Sequence, residues 1–144
     1  MALRWYVDAQ AERAGLTSEV VTGALPDDLP TDTATTCFRI AQEALTNVVR
    51  HARATRVWVT LERADAGLTV AITDDGIGFD VTGARQRALA GESLGILGLE
   101  ERVDLAGGRS TIESAPGAGT TVRAWLPLTS PSSGSEVGTD GGAQ

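Results

Sequence analysis

Four short stretches of this chain carry residue types that can do chemistry. The first is Gln42-Glu43-Ala44-Leu45-Thr46-Asn47-Val48-Val49-Arg50-His51-Ala52. Glu43, Asn47 and Arg50 follow at steps of four and three, which puts them on one face of a helix. The amide oxygen of Asn47 is a hard ligand of the kind Mg²⁺ takes beside phosphates and waters, and Arg50 is a cation that could reach a phosphate. The second stretch is Asp74-Asp75-Gly76-Ile77-Gly78-Phe79, directly after an apolar run. A carboxylate at a strand end can accept a hydrogen bond from an exocyclic amine, and a Gly-x-Gly backbone lets a ring come close. The third is Gly91-Glu92-Ser93-Leu94-Gly95-Ile96-Leu97-Gly98-Leu99. Glycines ahead of a helix N-terminus expose N–H groups to phosphate oxygens. The fourth is Gly117-Ala118-Gly119-Thr120-Thr121, where a hydroxyl could share a water or a ring nitrogen with Asp74.

Each stretch alone has a plainer reading: the wet side of an amphipathic helix, a glycine-rich turn, a hairpin loop. The third is not a Walker loop, because no Gly-Lys-Ser or Gly-Lys-Thr follows. Nor does it sit in a strand–Gly-x-Gly-x-x-Gly–helix unit with a later acidic residue, as a dinucleotide fingerprint would. The specific signal is the order: polar helix, strand with Asp-x-Gly-x-Gly, long glycine-rich loop into a helix, then Gly-x-Gly-Thr into a strand.

The elements that must position these groups can be read from periodicity. A short helix is predicted over 2–14, stopped by Gly15. A strand follows over 16–22, then a loop with Pro26 and Pro30. From Thr31 to His51, Phe38, Ala41, Ala44, Leu45 and Val48 recur at helical steps. Thr31 or Asp32 is the expected N-cap. Val57–Leu61 and Leu68–Thr73 alternate like strands and flank the turn Asp65-Ala66-Gly67, which reads as a hairpin. The stretch 74–98 reads as a long loop with a helical turn near 84–90. A helix resumes over 99–105 and ends at Gly107-Gly108, and strands are expected over 110–114 and 120–126. The expected fold class is α+β, a two-layer α/β sandwich in which helices cover one face of a mixed, mostly antiparallel sheet. Residues 1–128 form the expected domain. Residues 129–144 are Ser-, Gly- and Pro-rich and read as a disordered tail.

Composition bounds the partners. The chain has 144 residues and a formal charge of −7, which suits one ordinary domain and argues against nucleic acid, whose affinity comes from cations on phosphates. A nucleotide remains compatible, because backbone N–H groups, a metal ion and one or two cations can hold a phosphate chain on an acidic protein. Cys37 is the sole cysteine, so no intrachain disulfide forms; its place in an apolar stretch reads as core. No run approaches the ~18 apolar residues of a membrane helix, and no direct membrane contact is expected.

In this order the four stretches resemble the N, G1, G2 and G3 boxes of the ATP-binding domain shared by histidine kinases, type II topoisomerases, Hsp90 chaperones and mismatch-repair ATPases. The wording Gln-Glu-Ala-Leu-Thr-Asn-Val-Val-Arg-His-Ala and Gly-x-x-x-Gly-Ile-Leu-Gly-Leu-x-Glu-Arg is similar to the nitrate-sensor and desaturase-sensor branch of sensor histidine kinases. The resemblance runs from about Leu3 to Leu128.

The resemblance implies a Bergerat-type fold that binds ATP and Mg²⁺. It implies that Asn47 ligates the metal and Asp74 accepts from the adenine N6. Gly76 and Gly78 would admit the nucleotide, and Thr120 would hold its adenine end. The segment from about Phe79 to Leu97 would be a lid, hinged by Gly95 and Gly98. Arg50, His51 and Leu97 would border the nucleotide. Glu43 would serve catalysis beside Asn47, either toward an acceptor imidazole or in support of the metal. The reaction implied is transfer of the γ-phosphoryl group to a histidine, then to an aspartate on a response regulator, in the cytoplasm. His51 is the only histidine and lacks the context of a phospho-acceptor. The acceptor would therefore lie in a dimerisation domain of a longer parent protein. The same fold also admits an anti-sigma-type serine kinase or a non-catalytic interaction module.

Overall fold

The computed structural model describes residues 2–23, 29–90 and 95–128. The expected tail, 129–144, lies outside the described residues, and so does 91–94 at the heart of the third stretch. Helix α1 runs Ala2–Arg13 and strand β1 Thr17–Thr22. Between them Gly15 takes a φ of +75°, and the Leu16 N–H reaches back to the Ala11 carbonyl at 2.8 Å. This is the glycine stop expected from the sequence.

Helix α2 runs Thr31–Asn47. Its residues Cys37, Ile40, Ala41, Ala44 and Leu45 are buried, and with Val48 just beyond its end their three- and four-residue steps form the apolar stripe. Burial pushes the Cys37 thiol up to about 12, so it stays a neutral core group. The cap differs from expectation. Pro30 occupies the N-cap position and no side chain caps the helix. The helix starts two residues sooner than an Asp32 cap would allow, and Asp32 falls in the first turn, where its charge still favours the helix dipole. The far end differs too. After Asn47 the backbone widens into a π-helical turn, Val48–Ala52, which Arg53 ends in a left-handed conformation, φ +51°.

Strands β2 (Arg56–Ala64) and β3 (Gly67–Asp74) form the expected hairpin. Ala64 pairs with Gly67, so the loop is Asp65-Ala66 alone, both at positive φ. That is the hand of turn matching strand twist. Helix α3 covers Val81–Leu89 and α4 covers Gly95–Leu105. Both are longer than the sequence pattern predicts. Strands β4 (Arg109–Ser114) and β5 (Thr120–Pro127) close the chain's described part.

The five strands make one sheet in the order β1-β2-β3-β5-β4. Only β1 and β2 are parallel, because α2 crosses over between them; the other pairs are antiparallel. The mixed, mostly antiparallel sheet is the one expected. Val57, Val59, Leu61, Leu68, Val70, Ile72, Val122, Ala124 and Leu126 are buried in a single core with the apolar faces of α1, α2 and α4. Their neighbours in sequence, such as Trp58, Thr69, Thr73, Thr121 and Arg123, face the other way and are more exposed. The alternation turns Asp74, last residue of β3, toward the helices.

Ile40 is fully buried at the centre of the α2 stripe. Replacing it by alanine should lower unfolding free energy by about 3 kcal/mol. Urea unfolding of wild type and Ile40→Ala measures this; a loss under about 1 kcal/mol would mean that α2 is not seated on the sheet as described.

Candidate functional site

Asp74 is the one buried charged side chain among the described residues, 5% exposed. Burial raises its pKa and the neighbouring Asp75 charge adds to the rise, while the Gly76 N–H opposes it. That N–H donates to Oδ1 at 2.7 Å, an Asx-type turn. Among the described residues no donor reaches Oδ2.

Asp75 has the opposite fate. It is exposed, and its carboxylate accepts from the Thr55 hydroxyl at 2.7 Å and from the Thr55 and Arg56 N–H groups at 2.9 and 3.0 Å. These bonds hold its pKa down to about 2. Asp75 therefore pins the end of β3 to the start of β2 and fixes where Asp74 points.

The glycines between β3 and α3 make room for protein backbone. A Cβ on Gly76 would fall on the Ala52 carbonyl, and one on Gly78, at φ +67°, on the Ala115 carbonyl. The Ile77 N–H donates to that same Ala52 carbonyl at 2.7 Å. The end of the α2 segment is thus docked onto the loop that follows Asp74.

Opposite Asp74 across the sheet sits Thr120, and beyond it Ser114. The Ser114 Oγ accepts the Phe79 N–H at 2.9 Å and lies 2.9 Å from the Gly119 carbonyl and 2.8 Å from Thr120 Oγ1. A serine has one proton to give. It goes to the Gly119 carbonyl, so Thr120 donates to Ser114 and retains only acceptor capacity.

These groups surround a cavity of about 350 Å³, within the range of small-molecule sites. Its walls are mostly apolar: Ala44, Val48, Ala52, Ile72, Ile77, Phe79, Leu99, Ile112 and Val122. Four polar side chains line it, Asn47, Asp74, Thr120 and Arg87. A flat ring fits such walls, with Asp74 and Thr120 at one edge.

Of the sequence candidates, Asn47, Asp74, Gly78 and Thr120 meet at this cavity, and Gly76 shapes its rim. Glu43 lies one turn before Asn47 in α2 and Arg50 lies in the π turn, and neither is among the described lining residues. Leu97 is half-buried in the first turn of α4, where Leu99 faces the cavity instead. Gly98 lines a second cavity, of about 720 Å³, on the far side of α4 with Glu101 and Arg102. Gly95 is the first residue of α4, and the side-chain surroundings of His51 lie outside what the structure describes. No group of three or more His, Cys, Asp or Glu able to hold a metal occurs among the described residues. Sequence reasoning missed Asp75, Ser114 and Arg87. Only Ser114 left a readable trace, its register opposite Thr120.

A family model described as histidine kinase-, DNA gyrase B-, and HSP90-like ATPase matches residues 32–130. The chain belongs to this family. It is 37% identical over 133 residues to an uncharacterised sensor-like histidine kinase of Chloroflexus aurantiacus, covering 90% of this chain and 22% of that protein. It is 33% identical to the signal transduction histidine-protein kinase/phosphatase DegS of Brevibacillus brevis, over 88% of this chain and 32% of the relative. The chain thus spans about a fifth to a third of the curated relatives it matches. The fold is similar to the histidine kinase domain of the Erythrobacter litoralis EL346 blue-light activated kinase, with TM-score 0.67 at 23% identity, over 88% of this chain and 59% of that one. It is also similar to the Acinetobacter baumannii histidine kinase AdeS, with TM-score 0.68 at 13% identity, over 89% and 64%. No described helix is long and apolar enough to cross a membrane.

The Asp75 clamp predicts a pH signature. Its folded pKa lies below the ordinary 3.8, so its stabilisation is complete above that value and is lost as pH falls from 3.8 to about 2. Asp75→Asn should unfold at lower urea than wild type near neutral pH, with the gap closing across that window. A gap that stays constant down to the lowest pH would show that the carboxylate charge is not what pins the strand.

Proposed function

We propose that this chain binds ATP with Mg²⁺ and donates the γ-phosphoryl group to a histidine on a dimerisation domain outside the chain, as part of two-component signal transduction. The observation that carries the reading is Asp74. Asp74 accepts at Oδ1 from the Gly76 N–H and lines the cavity wall, where a ligand donor can meet its carboxylate. The exocyclic amine of adenine is such a donor; guanine offers a carbonyl at that place and would be repelled. Thr120, acting as acceptor or through a water, extends the same edge.

The ring would lie among Ile72, Ile77, Phe79, Leu99 and Val122, which line the cavity, with its phosphates toward α2. There Asn47 is the oxygen ligand of the cavity wall. A single amide oxygen fits Mg²⁺, which keeps most of its shell as water and phosphate. When bound, the ion would neutralise phosphate charge. Catalysis of phosphoryl transfer rests on positioning and charge neutralisation, which assigns the main roles to Asn47 and the lid. Glu43, one turn before Asn47, would act only when an acceptor side chain approaches from outside.

The nucleotide unit is taken as residues 1–128. The names of the relatives support a kinase reaction, and the share of their length left over supplies room for an acceptor domain and sensor. A response regulator would take the phosphoryl group next.

Calorimetry of ATP–Mg²⁺ binding tests the site. Wild type should bind, and Asp74→Asn should bind about 30-fold more weakly, the worth of a buried charge-assisted hydrogen bond of about 2 kcal/mol. Wild type that takes up no heat at millimolar ATP would remove the nucleotide reading. The direction of the reaction is tested separately, by mixing the chain with labelled ATP and the dimerisation domain of a DegS-type kinase. Acid-labile, base-stable label on that domain is expected; acid-stable label would point to a serine acceptor instead.

A further inference from the structure

We propose that the free edge of β4 is a self-association surface, on which a second copy of this chain adds its own β4 antiparallel to make one continuous sheet. The inference is independent of what the cavity binds.

β4 ends the sheet beside β5. The ladder across β5 fixes where its backbone groups point. Gly67 pairs with Pro127, and one step on, the Leu128 N–H donates to the Ala66 carbonyl at 3.2 Å. Bonded and non-bonded rungs alternate in an antiparallel ladder. The main-chain groups of Val122, Ala124 and Leu126 therefore face β3, and those of Thr121, Arg123 and Trp125 face β4. Opposite these last three stand Glu113, Thr111 and Arg109, whose groups are taken up inside the sheet. The N–H and C=O of Ser110 and Ile112 point out of the edge, and no backbone group of another described element bonds them. Such an edge is a template for a further strand. No residue of β4 is buried, and the strand carries neither the Pro nor the Lys that often guards an edge.

Charge selects the occupant. With a two-fold axis at Thr111, Ser110 stands opposite the partner's Ile112 and Ile112 opposite the partner's Ser110, each pair exchanging both main-chain bonds. The same register sets Arg109 opposite the partner's Glu113, and Glu113 opposite the partner's Arg109. These are non-hydrogen-bonded positions, where facing side chains come closest. An axis at Ser110 or Ile112 also lets outward groups meet, but it places Thr111 opposite one charge and forms no ion pair. Arg-Ser-Thr-Ile-Glu, 109–113, is thus self-complementary. Both charges are exposed on the helix-free face of the sheet. Arg109 lies 4.6 Å over the Trp125 ring, and Glu113 lies 3.9 Å from Arg123. An arriving carboxylate would extend a row of charges already begun. The opposite edge, β1, has no such match, because Glu19 is its only charge.

Sedimentation velocity on the full chain tests this. One strand edge makes a small interface, so the series must reach about 1 mM chain. Wild type should shift from monomer to dimer as concentration rises, and added salt should weaken the dimer. Glu113→Arg sets arginine against arginine, and Arg109→Glu sets carboxylate against carboxylate; each alone should lose the dimer. The chain carrying both changes has its charges exchanged and should dimerise again. An equal mixture of the two single variants should also dimerise, since each then meets its complement. A variant that had merely lost its fold would not be rescued in either way. The proposal is overturned by a wild type that stays monomeric throughout, by single variants that dimerise like wild type, or by a double variant and a mixture that both remain monomeric.

Discussion

The Ala52 carbonyl accepts the Ile77 N–H at 2.7 Å and fills the space that a side chain on Gly76 would need. This backbone join couples the helix carrying Asn47 to the strand end carrying Asp74. Without it, the two polar ends of the cavity would belong to elements free to shift separately. The π-helical turn Val48–Ala52 is what brings the carbonyl there. A regular α-helix rotates each residue by about 100°, whereas a π turn lodges one more residue per turn. The widened end carries the Ala52 carbonyl to the loop while Ala44 and Val48 stay in the wall.

Two adjacent carboxylates show how strongly local environment divides equal chemistry. Asp75 is saturated with donors and stays ionised far below the ordinary range. It is thereby a structural clamp between the end of β3 and the start of β2. Asp74 is buried, satisfied at one oxygen and raised by desolvation. Its other oxygen accepts no hydrogen bond from the described residues, and the side chain lines the cavity. The separation depends on strand alternation, which turns successive side chains to opposite faces.

Much of this was legible in the sequence, for identifiable reasons. Helical and strand periodicity revealed α1, α2 and all five strands, because each buries one face and period is the trace of that burial. The hairpin at Asp65 and the stop at Gly15 were legible as turn chemistry. Asn47, Asp74 and Thr120 were legible as an ordered set and do meet at one cavity. What stayed hidden depended on contacts distant in the chain. The length of α3 was hidden because its stabilising partners, Glu100 and the cavity wall, lie on other elements, and Gly83 weakens its local pattern. Gly76 and Gly78 read as openings for a ligand, but their missing side chains make way for the Ala52 and Ala115 carbonyls. The spacing of Glu43, Asn47 and Arg50 placed all three on one helical face; only the tertiary fold shows that the cavity meets that face at Asn47.

The division between rigid and adaptable parts follows from the same contacts. Asp74, Thr120 and Ser114 sit on paired strands, tied by backbone ladders and by hydroxyl bonds, so the amine-recognising end is held before any ligand arrives. The far wall comes from α3 and Phe79, which are anchored by the Phe79 N–H on Ser114 and by the Arg85–Glu100 pair. Arg85 and Glu100 both retain solvent exposure, and a pair of that kind contributes only about 0–1 kcal/mol. The wall can therefore be displaced at small cost, while the strand end cannot. The cavity thus pairs a fixed edge, borne by the strands, with a wall that can adjust to what enters it.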